Sequence, residues 1–102
     1  MRRGEIWTAS VGGKRRPVLV LTRSEVIDVR QLVTVAEITT SVRGLAVEVE
    51  LDHERVGLDR SSVVNCDGVH TIEQRVLARP LGVVDDDTMR EVCSAIAYAF
   101  GC

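Results

Sequence analysis

Hydrophobic residues fall along this chain in short bursts, and the bursts read mostly as β-strands. Pro17–Leu21 is a continuous apolar run, the pattern of a buried strand. Ala46–Leu51 alternates instead. Val47, Val49 and Leu51 share one side and Glu48 and Glu50 the other, as a half-buried antiparallel strand requires. Glu5–Ala9, with Trp7, and Leu32–Ile38, rich in Val and Ile though broken by Thr34 and Glu37, are further strand candidates. Ser62–Cys66 and Leu77–Val84 bring the predicted strands to about six. Pro80 cannot donate to a ladder, which puts the last of them at a sheet edge or a break.

Turn residues separate these runs. Gly12-Gly13 lies between the first two strands and Arg43-Gly44 precedes the alternating one. Ser24–Val29 reads as one helical turn capped by Ser24. The only long helical pattern is C-terminal. Asp85-Asp86-Asp87 offers N-caps and complements the helix dipole. Met89, Val92, Cys93, Ile96, Ala99 and Phe100 then recur at three- and four-residue steps, and Gly101 ends the helix. Short strands followed by one helix predict a small, mostly β barrel with the helix packed on it. With 102 residues and no linker or repeat, residues 1–102 form one domain.

Composition narrows the class. Hydrophobic residues make up 45% and charged residues 27%, so the chain is globular rather than disordered. Its longest uncharged stretch, Val92–Cys102, falls short of the ~18 apolar residues a membrane span needs. Arg2 and Arg3 are not followed by the apolar run of a signal peptide, so a cytoplasmic protein is expected. Cys66, Cys93 and Cys102 show no zinc-type spacing, and only two histidines accompany them, so no metal is expected. Cys66 and Cys93 read as small core residues. Net charge is −2 but uneven. Residues 1–45 carry eight Lys/Arg against four Asp/Glu, whereas residues 46–102 carry five against eleven. The balance argues against a generic nucleic-acid binder and permits a local anion site in the first part. Three aromatic residues are too few for a base-stacking platform.

Three segments carry candidate chemistry. In Gly12-Gly13-Lys14-Arg15-Arg16-Pro17, three cations precede a buried strand, and Pro17 pushes Arg16 towards an extended backbone. A guanidinium fixed at a strand mouth can grip a phosphate and stabilise the charge of a phosphorane. The same residues could serve only to keep a strand edge soluble. Thr39-Thr40-Ser41 offers three hydroxyls to phosphate oxygens, or simply terminates a strand. Asn65-Cys66-Asp67-Gly68-Val69-His70-Thr71 sets an amide, a carboxylate and an imidazole around a glycine turn, where His70 could act as acid or base. No Walker loop, GxGxxG motif or nucleophile elbow is present, so no nucleotide cofactor is signalled.

In order along the chain, these pieces resemble the MazF/PemK family of toxin endoribonucleases. The resemblance rests on Arg3-Gly4-Glu5-Ile6-Trp7, Lys14-Arg15-Arg16-Pro17-Val18-Leu19-Val20, Ala36-Glu37-Ile38-Thr39-Thr40-Ser41 and Leu58-Asp59-Arg60-Ser61-Ser62-Val63-Val64-Asn65. It implies an SH3-like barrel of the CcdB/PemK type, a homodimer and a cognate antitoxin as partner. It also implies metal-independent cleavage of single-stranded RNA by attack of the ribose 2′-OH. Arg16 and Thr39 take the family's catalytic arginine and threonine. Lys14, Arg15, Thr40, Ser41, Asp67 and His70 are the expected RNA contacts. The chain departs from many relatives in its short Ser10–Arg15 loop, and in having Gly68 and His70 where some carry longer polar or basic side chains. The rival reading is a CcdB-like toxin that binds DNA gyrase without chemistry.

Overall fold

A computed structural model describes residues 1–102 and places six strands in one curled antiparallel sheet of order β4-β5-β3-β2-β1-β6. The strands are β1 (Glu5–Val11), β2 (Lys14–Val20), β3 (Leu32–Thr39), β4 (Glu48–Leu51), β5 (Ser62–Glu73) and β6 (Arg79–Val83). One turn of helix, α1 (Ser24–Ile27), links β2 to β3, and α2 (Asp86–Phe100) ends the chain. No helix is long and apolar enough to cross a membrane. The expected class, mostly β with a C-terminal helix, is what the structure shows.

Both faces of the sheet are covered, which explains the unbroken apolar run of β2. Leu19 packs with Ile6, Ala36, Val64 and Cys66 beneath Val92 of α2. Val18 and Val20 point the other way, to a second core with Val33, Val35, Ile27 and Leu77. At Gly12-Gly13 both φ angles are positive, at 59° and 78°, the geometry that suits the twist of a tight hairpin. That hairpin pairs Val11 with Lys14 and Ala9 with Arg16.

Strands β4 and β6 are the two sheet edges, and the barrel closes by backbone packing rather than by a ladder between them. The segment after β4 lays its Val56 carbonyl against Gly82 of β6, while the Leu81 carbonyl lies against Gly57. A Cβ at either glycine would overlap the facing carbonyl. Pro80 sits on edge strand β6, as expected. At the start of α2, Asp85 accepts a hydrogen bond from the Thr88 backbone N–H at 2.8 Å, which holds its carboxyl below the usual range. Gly101 ends the helix at φ 75°.

Several expectations need correction. Ser24 does not cap α1; Arg23 holds that position with no side-chain cap, and the Ser24 hydroxyl instead accepts from the Arg3 N–H at 2.9 Å. The strand predicted over 62–66 runs on to Glu73. The 65–71 stretch is therefore not a glycine turn: Asn65 and Val69–Thr71 pair with β3, and Gly68 lies within the strand in the bulge between them. The strand predicted over 46–51 is shorter, and the one over 77–84 starts later because Gln74–Val76 forms a 3-10 turn. Cys66 is buried, and burial pushes its thiol up to about 11, helped by the charges of Asp67 and Cys93. Cys93 is exposed, at the edge of the helix stripe, with its Sγ 2.9 Å from Arg3 Nη2. Phe100 is also exposed: the packed stripe of α2 runs through Met89, Val92, Ala95, Ile96 and Ala99, and Phe100 falls beside it.

Gly82→Ala should lower the unfolding free energy by more than about 1 kcal/mol in urea melts, because backbone faces backbone there and nothing can yield cheaply. Unchanged stability would mean that the barrel closes in another way.

Candidate active site

Strands β2 and β3 pair with Val18 opposite Glu37, so the mouth of β2 lies beside the end of β3. Side-chain alternation then puts Arg16 on the face of Val18 and Val20, and Glu37 and Thr39 on the face of Val33 and Val35. These are the same face, at its open end. Strand β5 adds to it. The β3–β5 register jumps between Ala36↔Val69 and Glu37↔Asn65, leaving Cys66–Gly68 as a bulge opposite the Ala36–Glu37 step. Bulges of this kind re-aim side chains beside functional sites.

The result is a linked cluster. Arg16 Nη1 donates to Glu37 Oε1, and His70 Nε2 lies 2.5 Å from the other carboxylate oxygen, Oε2. The side chains of Arg16, Glu37 and His70 are 18%, 16% and 31% exposed, so the cluster is held by the fold yet open to a ligand. Arg16 Nε is buried without a partner. Gly68 makes the arrangement possible: a Cβ there would sit 2.9 Å from Glu37 Cδ and 3.1 Å from Asn65 Nδ2.

Thr39, the last residue of β3, accepts a hydrogen bond at Oγ1 from the Ser41 N–H at 3.0 Å. Its own hydroxyl hydrogen is left to donate. Lys14 is exposed and alternates to the face of Arg16. Arg15 alternates away, with Nη2 3.5 Å from Thr8 Oγ1. Thr40 lines a cleft of about 430 Å³ with Thr8, Pro17, Arg60 and Arg79. Ser41 and Asp67 are exposed, and the Asp67 N–H donates to Asn65 Oδ1 at 3.1 Å. The structure thus joins Arg16 and His70 through Glu37, puts Thr39 on the same face, and sets Arg15 and Thr40 apart from them.

A fixed guanidinium, a free hydroxyl hydrogen and an imidazole on one half-buried face suit a phosphodiester. Residues 2–100 match the family described as PemK-like, MazF-like toxin of type II toxin-antitoxin system. The chain belongs to this PemK/MazF-like family. One curated family member, the probable endoribonuclease MazF5 of Mycobacterium tuberculosis, is 41% identical over 103 residues, covering 98% of this chain and 93% of that one. A solved family structure, the Mycobacterium tuberculosis toxin MazF-mt6, has a TM-score of 0.89 at 42% identity and covers 95% of this chain and 96% of that one. An endoribonuclease from a mycobacterial species, solved in complex with its cognate antitoxin, shares the PemK/MazF-like fold. It has a TM-score of 0.84 at 24% identity and covers 99% and 95% of the two chains.

Glu37 is the site residue that the sequence reading left without a role. One signal was available: a carboxylate interrupts an apolar strand between Ala36 and Ile38, and a charge held there needs partners. Arg60 and Arg79 were likewise passed over, being far apart in sequence and adjacent only in the cleft.

Gly68→Ala should displace the Glu37 carboxylate and change the imidazole nitrogen shifts of His70 in NMR spectra. Unchanged shifts would show that the bulge absorbs the added methyl group.

Proposed function

We propose that this protein is the toxin of a toxin–antitoxin pair and acts in the cytoplasm as an endoribonuclease. The substrate is single-stranded RNA, cut at a short sequence. The ribose 2′-OH attacks the adjacent phosphorus, the bond to O5′ breaks, and a 2′,3′-cyclic phosphate and a 5′-OH result. The reaction needs no metal, because the nucleophile is the substrate's own hydroxyl and the chain supplies the positive charge.

The observation that carries this reading is Arg16 fixed at the mouth of β2, on the face that also holds Thr39. Arg16 stabilises the charge that grows on the phosphorane oxygens. Its guanidinium has five N–H donors, and Glu37 engages it through one nitrogen. The Thr39 hydroxyl donates to the same oxygens. Lys14 and Ser41 lie near enough in sequence and exposure to hold flanking phosphates. Arg15 and Thr40 reach RNA only if the strand also follows the cleft with Arg60 and Arg79.

The active form is a homodimer, and the partner that restrains it is a cognate antitoxin. An acidic antitoxin segment suits the excess of cations in residues 1–45. The endoribonuclease names of the curated relatives favour RNA cleavage over gyrase binding.

Arg16→Ala and Thr39→Ala should each lower the cleavage rate of a single-stranded RNA by at least about 100-fold, with unchanged circular dichroism. A folded Arg16→Ala protein that cuts as fast as wild type would contradict this reading. Intact RNA with gyrase-dependent DNA breaks in expressing cells would transfer support to the gyrase-binding alternative.

A further inference from the structure

The transesterification has a proton to remove from the 2′-OH, and Arg16 and Thr39 are poor candidates for taking it. A guanidinium stays protonated and cannot accept, and the Thr39 oxygen already accepts from Ser41. Two acceptors remain on that face, Glu37 and His70, and Glu37 has one oxygen engaged by Arg16 and the other by His70. A carboxylate only accepts hydrogen bonds, so in the 2.5 Å contact with Glu37 it is His70 Nε2 that carries the hydrogen. In the neutral ring this leaves Nδ1 with its lone pair and no hydrogen.

We infer that His70 is the general base of the cleavage step and that Glu37 is its positioning residue. The inference rests on the endoribonuclease reading above. His70 Nδ1 takes the 2′-OH proton as the O2′–P bond forms and the P–O5′ bond breaks. The electron pair of that bond leaves with O5′, which takes a proton from water, and the imidazolium returns its own proton to solvent. No net proton is gained or lost. Glu37 fixes the ring and the tautomer, and it meets the imidazolium with negative charge as it forms.

Three independent features support the assignment. One carboxylate bridges His70 Nε2 and Arg16 Nη1, so the imidazole ring and the phosphorane-stabilising cation share one anchor on one face. The bulge at Cys66–Gly68 brings β5 across this point, and Gly68 clears the volume that the Glu37 carboxylate fills. His70 is also the most exposed member of the cluster, as the group that meets substrate must be. The charged groups around it are Glu37 on β3, Arg16 on β2 through Glu37, and Asp67 on its own strand.

The test is kcat/KM on a fluorogenic single-stranded RNA as a function of pH, for the full chain and its variants. Wild type should show an acid limb on which the rate rises with pH, because a protonated imidazole cannot accept. His70→Gln should lose about 100-fold or more and lack that limb. Its affinity for an uncleavable RNA with 2′-deoxyribose at the scissile position should fall far less than its rate, which separates loss of chemistry from loss of binding. His70→Gly should regain at least about 10-fold when free imidazole is added, and Glu37→Gln should displace the acid limb along the pH axis. If His70→Gln keeps the rate and profile of a cleaving wild type, the inference is overturned while the endoribonuclease reading stands. The same holds if imidazole fails to restore a folded His70→Gly protein. If wild-type protein does not cut RNA, both fall together.

Discussion

The half-buried carboxylate of Glu37 organises the site. It stands in an otherwise apolar strand, between buried Ala36 and Ile38, where an unpaired charge would be costly. The fold gives it two partners on two neighbouring strands, Arg16 on β2 and His70 on β5. Each partner is thereby held. Arg16 is drawn onto the sheet face rather than left to solvent, and the His70 ring is fixed through Nε2. Pairs of this kind add little net stability once desolvation is counted. Their worth here is geometric: they set three functional groups in one place.

The barrel provides the room for that arrangement. Close approach at Gly82 and Gly57 lets the segment after β4 seal the sheet edges without a ladder. The long β5 strand can then bend across β3 and carry its bulge to the Glu37 step. Cores on both faces anchor β2 and β3 behind the site, so Arg16 and Thr39 project from rigid strands rather than from loops. The short Gly12-Gly13 hairpin keeps Lys14 and Arg15 next to the sheet.

Much of this was legible from the sequence, and the physical reasons are specific. The apolar run of β2, the alternation of β4 and the capped terminal helix are local patterns, and local patterns survive without tertiary information. Arg16 stands out in the sequence because Pro17 restricts the residue before it, a one-step effect. His70 was noticed but put in a turn, since Gly68 reads as punctuation when its true use is to make space for Glu37. That use depends on a contact between residues 31 apart, which no window on the chain can show. Glu37 was missed for the same reason. Cys93 and Phe100 fit the helix periodicity in sequence, yet the packed stripe is centred on Val92 and Ala95 and leaves both at its margin.

We propose that the face carrying Arg16 and Thr39 cuts RNA through the substrate's own 2′-hydroxyl. The most direct measurement is to incubate the purified protein with a long single-stranded RNA in EDTA and map the ends. Discrete cuts bearing 2′,3′-cyclic phosphate and 5′-OH are the predicted result. Intact RNA from folded, antitoxin-free protein, or cuts bearing 5′-phosphate, would contradict it.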